Sequence, residues 1–210
     1  MPDSFRYHIR PAKSSDIQQV TALAIEGLDS DDLFNYNFPH RKEFPDDCHL
    51  AWYRIFESWL YIPRTLSLIP GRLDLRVRSC SWLIAKLYPK SINRHSSPSH
   101  IANFRASLDV IEEKYWQTQY RESLHLRALA TKPEFRQKGI ATALIEWGLQ
   151  RSRTTGLVAG VESSEMAKGL YSKLGFQTIG YEELRDEMDA VQVKTWVMVW
   201  GADVDREGGS

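Results

Sequence analysis

A short turn rich in positive charge and backbone amides is the first candidate for chemistry in this chain. It reads Arg136-Gln137-Lys138-Gly139-Ile140-Ala141 and lies between an apolar stretch and a segment of helical periodicity. The first N–H groups of a helix have no acceptor within the helix and carry partial positive charge, which favours a phosphate group at that end. Gly139 would let such a ligand approach the main chain closely. A solvated basic turn before an ordinary helix is the alternative interpretation.

The composition excludes several other classes of function. The chain has 27 Lys and Arg residues and 27 Asp and Glu residues, so its formal net charge is zero, which gives no support to a nucleic-acid or acidic-membrane partner. No apolar run approaches the roughly 20 residues that span a bilayer. Cys48 and Cys80 form neither a disulfide framework nor a metal-binding spacing. We therefore expect a cytoplasmic monomer or homodimer without a metal.

The elements around the turn follow from hydrophobic periodicity. A strand is predicted over Leu124–Ala130 and a helix over Gly139–Arg151. A second strand over Leu157–Glu162 then leads into a helix that Ser163 or Ser164 can cap. A strand–helix–strand crossover of this length indicates a parallel pair with a right-handed connection. Two further strands, predicted as antiparallel neighbours, are "FQTIGY" and "VQVKTWVMVW".

The remainder of the chain predicts a single domain of the α/β (α+β) class with a mixed sheet. This domain is expected over residues 1–200, with a flexible tail over 201–210. The other predicted elements are a strand in "FRYHIRPA", a helix that Ser15 begins, a loop over Asp29–Asp47, a helix from about Asp47 to Tyr61, strands in "RLDLRVRS" and "SWLIAKLYP", and a helix over Ile101–Gln119.

The motifs of the second half, taken in order, resemble a known family. The turn fits the pattern [Q/R]-x-x-G-x-[G/A], and Ala167, Tyr171 and the pair Gly175-Phe176 follow about thirty residues later. This order resembles the GNAT superfamily of N-acetyltransferases, and "YHIRPAKSSDIQQV" is similar to the family's opening strand and helix. The resemblance implies a GNAT-like mixed sheet, flanked by helices, whose two central parallel strands splay apart.

The resemblance also implies acetyl-CoA as the cofactor. The turn amides would hold its pyrophosphate, and the end of the preceding strand would pair with its pantetheine amides. Ser164 stands where the family often has an asparagine that contacts the cofactor. The cofactor-binding residues that follow are Leu129, Ala130, Thr131, Arg136, Gln137, Lys138, Gly139, Ile140, Ala141, Thr142 and Ser164.

Three residues are candidates for proton transfer. Tyr171 occupies the family's tyrosine position, where a phenol donates to the departing thiolate; its alternative role is to anchor the core. "LHLRALA" resembles the "HLHALA" strand of arylalkylamine N-acetyltransferases, so His125 is the candidate base, although Arg127 replaces the second histidine and cannot accept a proton. The alternative interpretation of His125 is a solvent-facing strand residue. Glu162 is the alternative base, or else a simple strand-end carboxylate.

Transfer in this family is direct, so the resemblance predicts no acyl-cysteine intermediate and a small-molecule primary amine as acceptor. The acceptor would lie near Asp29–Phe44, where Asp31 or Asp32 could attract an ammonium group, unless these aspartates are helix caps. A degenerate GNAT-fold module that binds CoA, or nothing, and acts through a partner is the alternative function. The aromatic residues that could stack on the acceptor, or form core instead, are Phe34, Tyr36, Phe38 and Trp52.

Overall fold

A computed structural model of the chain describes residues 8–61, 93–186 and 191–201. The predicted strands "RLDLRVRS" and "SWLIAKLYP" lie outside these ranges, as do Cys80 and residues 202–210 of the predicted tail. The predicted first strand "FRYHIRPA" lies partly outside them, and its described residues, from 8 to 12, form no regular element.

A mixed sheet of four strands organises the described residues. The strand order is β1-β2-β4-β3, with β1 and β2 parallel and the other two pairs antiparallel. The predicted parallel pair, its helical crossover and the antiparallel neighbours are therefore confirmed. The strands are β1 (Ser123–Leu126), β2 (Val158–Ser163), β3 (Gln177–Arg185) and β4 (Gln192–Trp200).

The two parallel strands stop pairing after four residues. The last β1–β2 pair is Leu126 with Val161, whereas Glu162 and Ser163 of β2 pair only with β4. Strand β1 is thus shorter than the predicted Leu124–Ala130, because the main chain leaves its partner after four residues. Residues 127–132 have no strand partner in the described part of the chain. Main-chain groups of this segment that lie outside the ladder are candidates for pairing with a ligand.

Six α-helices surround the sheet in the described ranges. A π-helical turn, Glu112–Gln117, continues the fourth helix, and short 3-10 turns occupy Ser14–Asp16 and Pro133–Phe135. No helix of residues 8–61, 93–186 and 191–201 is long and apolar enough to cross a membrane. The α-helices are α1 (Ile17–Gly27), α2 (Asp32–Asn37), α3 (Pro45–Tyr61), α4 (Pro98–Ile111), α5 (Ile140–Thr155) and α6 (Glu165–Lys173).

Two predictions for the N-terminal half are wrong. The predicted loop over Asp29–Asp47 contains α2, which forms because the Asp31 carboxylate accepts the N–H of Phe34 and caps the helix. Ser15 does not begin the first helix by capping. The Asp16 carboxylate accepts the N–H of Lys13 at 2.8 Å instead.

The core lies on both faces of the sheet, because successive strand residues point to opposite sides. The face covered by α5 and α6 contains Ile145, Leu149, Ala159, Val161, Tyr171, Phe176 and Met198. The face covered by the end of α4 and the π-helical turn contains Ile111, Tyr115, Trp116, Val197 and Val199.

Candidate active site

The predicted phosphate turn begins α5 with two residues in the left-handed region. Gln137 has φ 59° and Gly139, at the N-cap of α5, has φ 79°. No side chain caps this helix end. A Cβ placed on Gly139 would meet no atom within 4 Å, so the space in front of the turn is open. The first N–H groups of α5 are therefore candidates for binding a phosphate group.

Arg136 ties the turn to the end of α1. Its guanidinium donates to the carbonyl oxygens of Thr131 at 3.3 Å and of Gly27 at 2.9 Å. Lys132 adds an ion pair with Glu26 at 2.7 Å. Two of the Arg136 donors thus hold the main chain, and the predicted contact of this side chain with phosphate stays a prediction.

The predicted pantetheine-binding segment, Leu129–Thr131, lies against the last turn of α1. A Cβ on Gly27 would lie 3.0 Å from the Ala130 Cβ and 3.1 Å from the Thr131 nitrogen, so this close packing needs a glycine. The Thr131 hydroxyl is buried and has no hydrogen-bond partner among the residues that the structure describes. A buried hydroxyl without a partner costs about 1–3 kcal/mol, which a polar ligand at this position would recover.

The structure brings the two candidate bases together. The Nδ1 atom of His125 lies 3.7 Å from Oε1 of Glu162, and its Nε2 atom lies 2.8 Å from the hydroxyl of Ser123. His125 pairs with Gly160 across the parallel ladder, so its imidazole shares a face with the side chain of Glu162 two residues further on. The side chains are 21% and 23% exposed, which leaves both accessible to a ligand.

Tyr171 lies on the opposite face of the sheet from His125. Tyr171 belongs to α6 and its side chain is buried, with its ring centroid 5.4 Å from that of Phe176. Burial, and to a smaller extent the Asp31 carboxylate, raise the pKa of the Tyr171 phenol above its usual value. The phenol therefore holds its proton at neutral pH. This is the state that an acid requires.

Ser164 and the two aspartates of α2 meet at the start of α6. The Ser164 hydroxyl donates to Oδ2 of Asp31 at 2.5 Å. The sequence predicted a cap from Ser163 or Ser164, but Ser164, at the N-cap of α6, makes no side-chain capping bond. Asp31 also caps α2 through its other oxygen. Burial, followed by the charge of Asp31, raises the pKa of the Asp32 carboxyl. Asp31 thus has the cap role that the sequence left as its alternative.

The aromatic residues predicted near the acceptor form a packed cluster. The ring of Phe34 lies 5.1 Å from that of Phe38 and 5.6 Å from that of Trp52, between centroids. Tyr36 stacks on His100 at 4.0 Å. Phe34 and Tyr36 are 4% and 2% exposed, so they belong to the core.

A cavity of about 540 Å³ lies beside the turn, between α1, the start of α3 and the segment before Gln137. Its volume is typical of small-molecule sites. The sequence contained no signal for it, because its walls come from separate parts of the chain. The lining residues are Ala22, Ile25, Glu26, Asp29, Ser30, Pro45, Asp46, His49, Pro133 and Arg136.

Comparison with known families agrees with this geometry. Residues 106–178 match the family described as "Acetyltransferase (GNAT) domain". This part of the chain is thus similar to the GNAT superfamily. The matched residues include β1, the turn, α5, β2 and α6, which carry the candidate phosphate turn and the three candidates for proton transfer. Similarity to an acetyltransferase domain supports an acyltransferase.

Two known proteins are similar along most of the chain. A protein named acetyltransferase from Stachybotrys chartarum (strain CBS 109288 / IBT 7711) is 22% identical over 213 residues, which cover 92% of this chain and 90% of the relative. A crystal structure of "histone acetyltransferase HPA2 and related acetyltransferase" from Corynebacterium glutamicum aligns with a TM-score of 0.51 and 16% identity, over 90% of this chain and 93% of the other. The second likeness concerns the fold alone.

Proposed function

We propose that this protein is an acetyl-CoA-dependent N-acetyltransferase of the GNAT type that transfers the acetyl group directly to a primary amine of a small molecule. The observation that carries the proposal is the pair His125 and Glu162, 3.7 Å apart, beside the point where β1 and β2 stop pairing. A partly exposed imidazole next to a carboxylate is suited to remove a proton from an ammonium group.

The residues around the turn fit the cofactor. Acetyl-CoA, when bound, supplies an acetyl thioester. The N–H groups of Ile140, Ala141 and Thr142 in the first turn of α5 would bind its pyrophosphate, beside Gln137 and Lys138. The main chain of Leu129–Thr131 would bind its pantetheine amides, and the unpartnered Thr131 hydroxyl and the open space at Gly139 support this placement.

Two protons move in this reaction, and the site offers a group for each. An alkylamine with a pKa near that of lysine, about 10.4, is almost wholly protonated at pH 7, so it must lose a proton before attack. His125 accepts that proton, directly or through water, while Glu162 stabilises the resulting imidazolium. Tyr171 holds, on its phenolic oxygen, the proton that the departing thiolate needs. The raised pKa of Tyr171 keeps that proton in place until then.

A thiol-release assay with acetyl-CoA and a panel of primary amines tests the function. We expect amine-dependent release of free thiol, together with the acetylated amine by mass spectrometry. Secondary alcohols of similar size are the matched control and should give no release. If acetyl-CoA binds but no amine is acetylated, the proposed transfer is wrong.

Substitution of Gly139 by Val should abolish the stabilisation that acetyl-CoA confers. The wild-type protein should gain about 2.7 kcal/mol at 100 times the dissociation constant. A side chain at Gly139 would project into the open space in front of the turn, and the residue's φ of 79° disfavours it as well. Thermal shift with and without acetyl-CoA measures the difference.

Gly156→Val is the matched control for this substitution. Gly156 ends the same helix with φ 72°, and a Cβ there also meets nothing within 4 Å. It carries the same backbone strain away from the turn, so its acetyl-CoA shift should equal that of the wild type. Equal shifts in both variants would remove the turn from the cofactor site.

Direct transfer also predicts that Cys48 does not react. The thiol is buried, and burial raises its pKa to about 12, so the reactive thiolate is scarce at pH 8. Iodoacetamide should leave Cys48 unmodified in the native protein and modify it in denaturant, as peptide mass mapping would report. Rapid native modification of Cys48 would contradict its burial, whereas acetyl transfer to it from acetyl-CoA would contradict direct transfer.

A further inference from the structure

The π-helical turn after α4 places Trp116 next to the candidate base. The turn spans Glu112–Gln117, and the side chain of Trp116 is 4% exposed. A π-helical turn inserts an extra residue into a helix, which changes the direction of the side chains, and such turns are frequent at functional sites. Trp116 points from this turn onto β1 and β2.

Trp116 contacts both members of the His125–Glu162 pair. Its indole N–H donates to Oε1 of Glu162 at 2.6 Å. Its ring meets the imidazole of His125 edge to face, with centroids 4.4 Å apart and planes at 82°. One side chain thus fixes the carboxylate by a hydrogen bond and the imidazole by packing.

Gly160 makes room for this arrangement. A Cβ on Gly160 would lie 2.6 Å from Cη2 of Trp116, closer than real contacts allow. Gly160 is also the residue that pairs with His125 across the ladder. The absence of a side chain at this position of β2 therefore seats the indole above the strand, between the two groups that it contacts.

We propose that Trp116 is a positioning residue for the acetyl transfer, acting through Glu162 and His125; this rests on the proposed function above. An indole N–H can only donate, and its bond to an ionised carboxylate is among the stronger hydrogen bonds. It holds Oε1 of Glu162 at 3.7 Å from Nδ1 of His125. Without the bond, the partly exposed carboxylate can rotate towards water, and the imidazole loses the charge that stabilises its protonated form.

Trp116→Phe keeps an aromatic ring but removes the donor. At neutral pH we expect kcat to fall by about 10–100-fold, the scale of loss from misplacing a catalytic group by about 1 Å. The KM for acetyl-CoA should stay within about twofold. The deficit should shrink at high pH, where free amine no longer needs a base. Trp147→Phe is the control, because Trp147 is 57% exposed on α5 and takes no part in the contacts with His125 and Glu162.

A double-mutant cycle separates positioning from general damage. In a Glu162→Gln background, Trp116→Phe should lower kcat by less than about a further twofold. Both substitutions disable the same arrangement of Trp116, Glu162 and His125. Gly160→Ala, which displaces the indole without removing a polar atom, should reproduce the Trp116→Phe profile. Thermal melting of each variant confirms folding.

The outcomes are distinguishable. A deficit that is equal at all pH values, or losses that multiply in the double mutant, would overturn the role of Trp116 while leaving the acetyltransferase proposal intact. A wild-type protein without activity towards any amine would overturn that proposal and this role with it.

Discussion

Substitution of Tyr171 by Phe is expected to lower kcat by about 10²–10⁴-fold, the range for loss of general acid catalysis. Acetyl-CoA affinity should barely change, because the phenol acts as charge develops on sulfur. The substitution retains the ring that packs against Phe176, so the core should remain folded. Steady-state kinetics, with a thermal shift in acetyl-CoA, measure both quantities.

Tyr36→Phe is the matched control for Tyr171→Phe. Tyr36 is a buried tyrosine as well, 2% exposed, but it stacks on His100 in the core beside α2. Removal of the Tyr36 hydroxyl group should leave kcat close to the wild-type value. If Tyr171→Phe retains full turnover, Tyr171 anchors the core and does not act as the acid.

The raised pKa of Tyr171 gives this acid a further signature. Burial, and then the Asp31 carboxylate, hold the phenol pKa above the usual value of about 10. The phenol therefore keeps its proton while free amine accumulates with rising pH. The wild-type rate should not fall between pH 8 and about 10 because of phenol ionisation, and its profile there should be flat or rising.

Signals within a few residues predicted the second half of the fold. Gly139 and Gly156 bound α5 with positive φ, as their positions around the helical pattern indicate. The alternating residues of β3 and β4 predicted an antiparallel pair. These features depend on backbone conformation and periodicity, which are local properties of the chain.

Features that depend on tertiary contacts could not be predicted in this way. The end of β1 at Leu126 is set by where its partner strand stops pairing. In α3 the large apolar residue Leu50 is 37% exposed, while the smaller Cys48 and Ala51 are buried. Small residues allow α1 and α3 to pack closely, and a search for large apolar side chains overlooks them.

The same distinction applies to the candidate site. His125 and Glu162 were found separately, by family likeness and by position at a strand end, and were treated as alternatives. Only the register that pairs His125 with Gly160 shows that they are neighbours. Trp116 was missed because it is 46 residues from Glu162 in sequence, and no motif marks the π-helical turn.

Removal of the base should change the pH profile as well as the rate. If His125 accepts the amine proton, His125→Ala should lose about 10²–10⁴-fold at neutral pH and should lose the acidic limb of the profile. Its rate should recover partly at high pH, as an amine with a pKa of about 10.4 becomes deprotonated in solution. Glu162→Gln should have a smaller effect, because it retains the acceptor for Trp116 and removes only the charge beside the imidazole.

A third variant, His40→Ala, supplies the control for this comparison. His40 also contacts a glutamate, with its Nδ1 atom 3.4 Å from Glu43, but its side chain is 52% exposed and does not line the cavity beside the turn. Its loss should leave both the rate and the profile unchanged. The decisive contrast is between the two strands: if Glu162→Gln flattens the profile while His125→Ala retains the acidic limb, the carboxylate on β2 is the base. His125 would then only support Glu162, and the likeness of "LHLRALA" to a two-histidine strand would be coincidental.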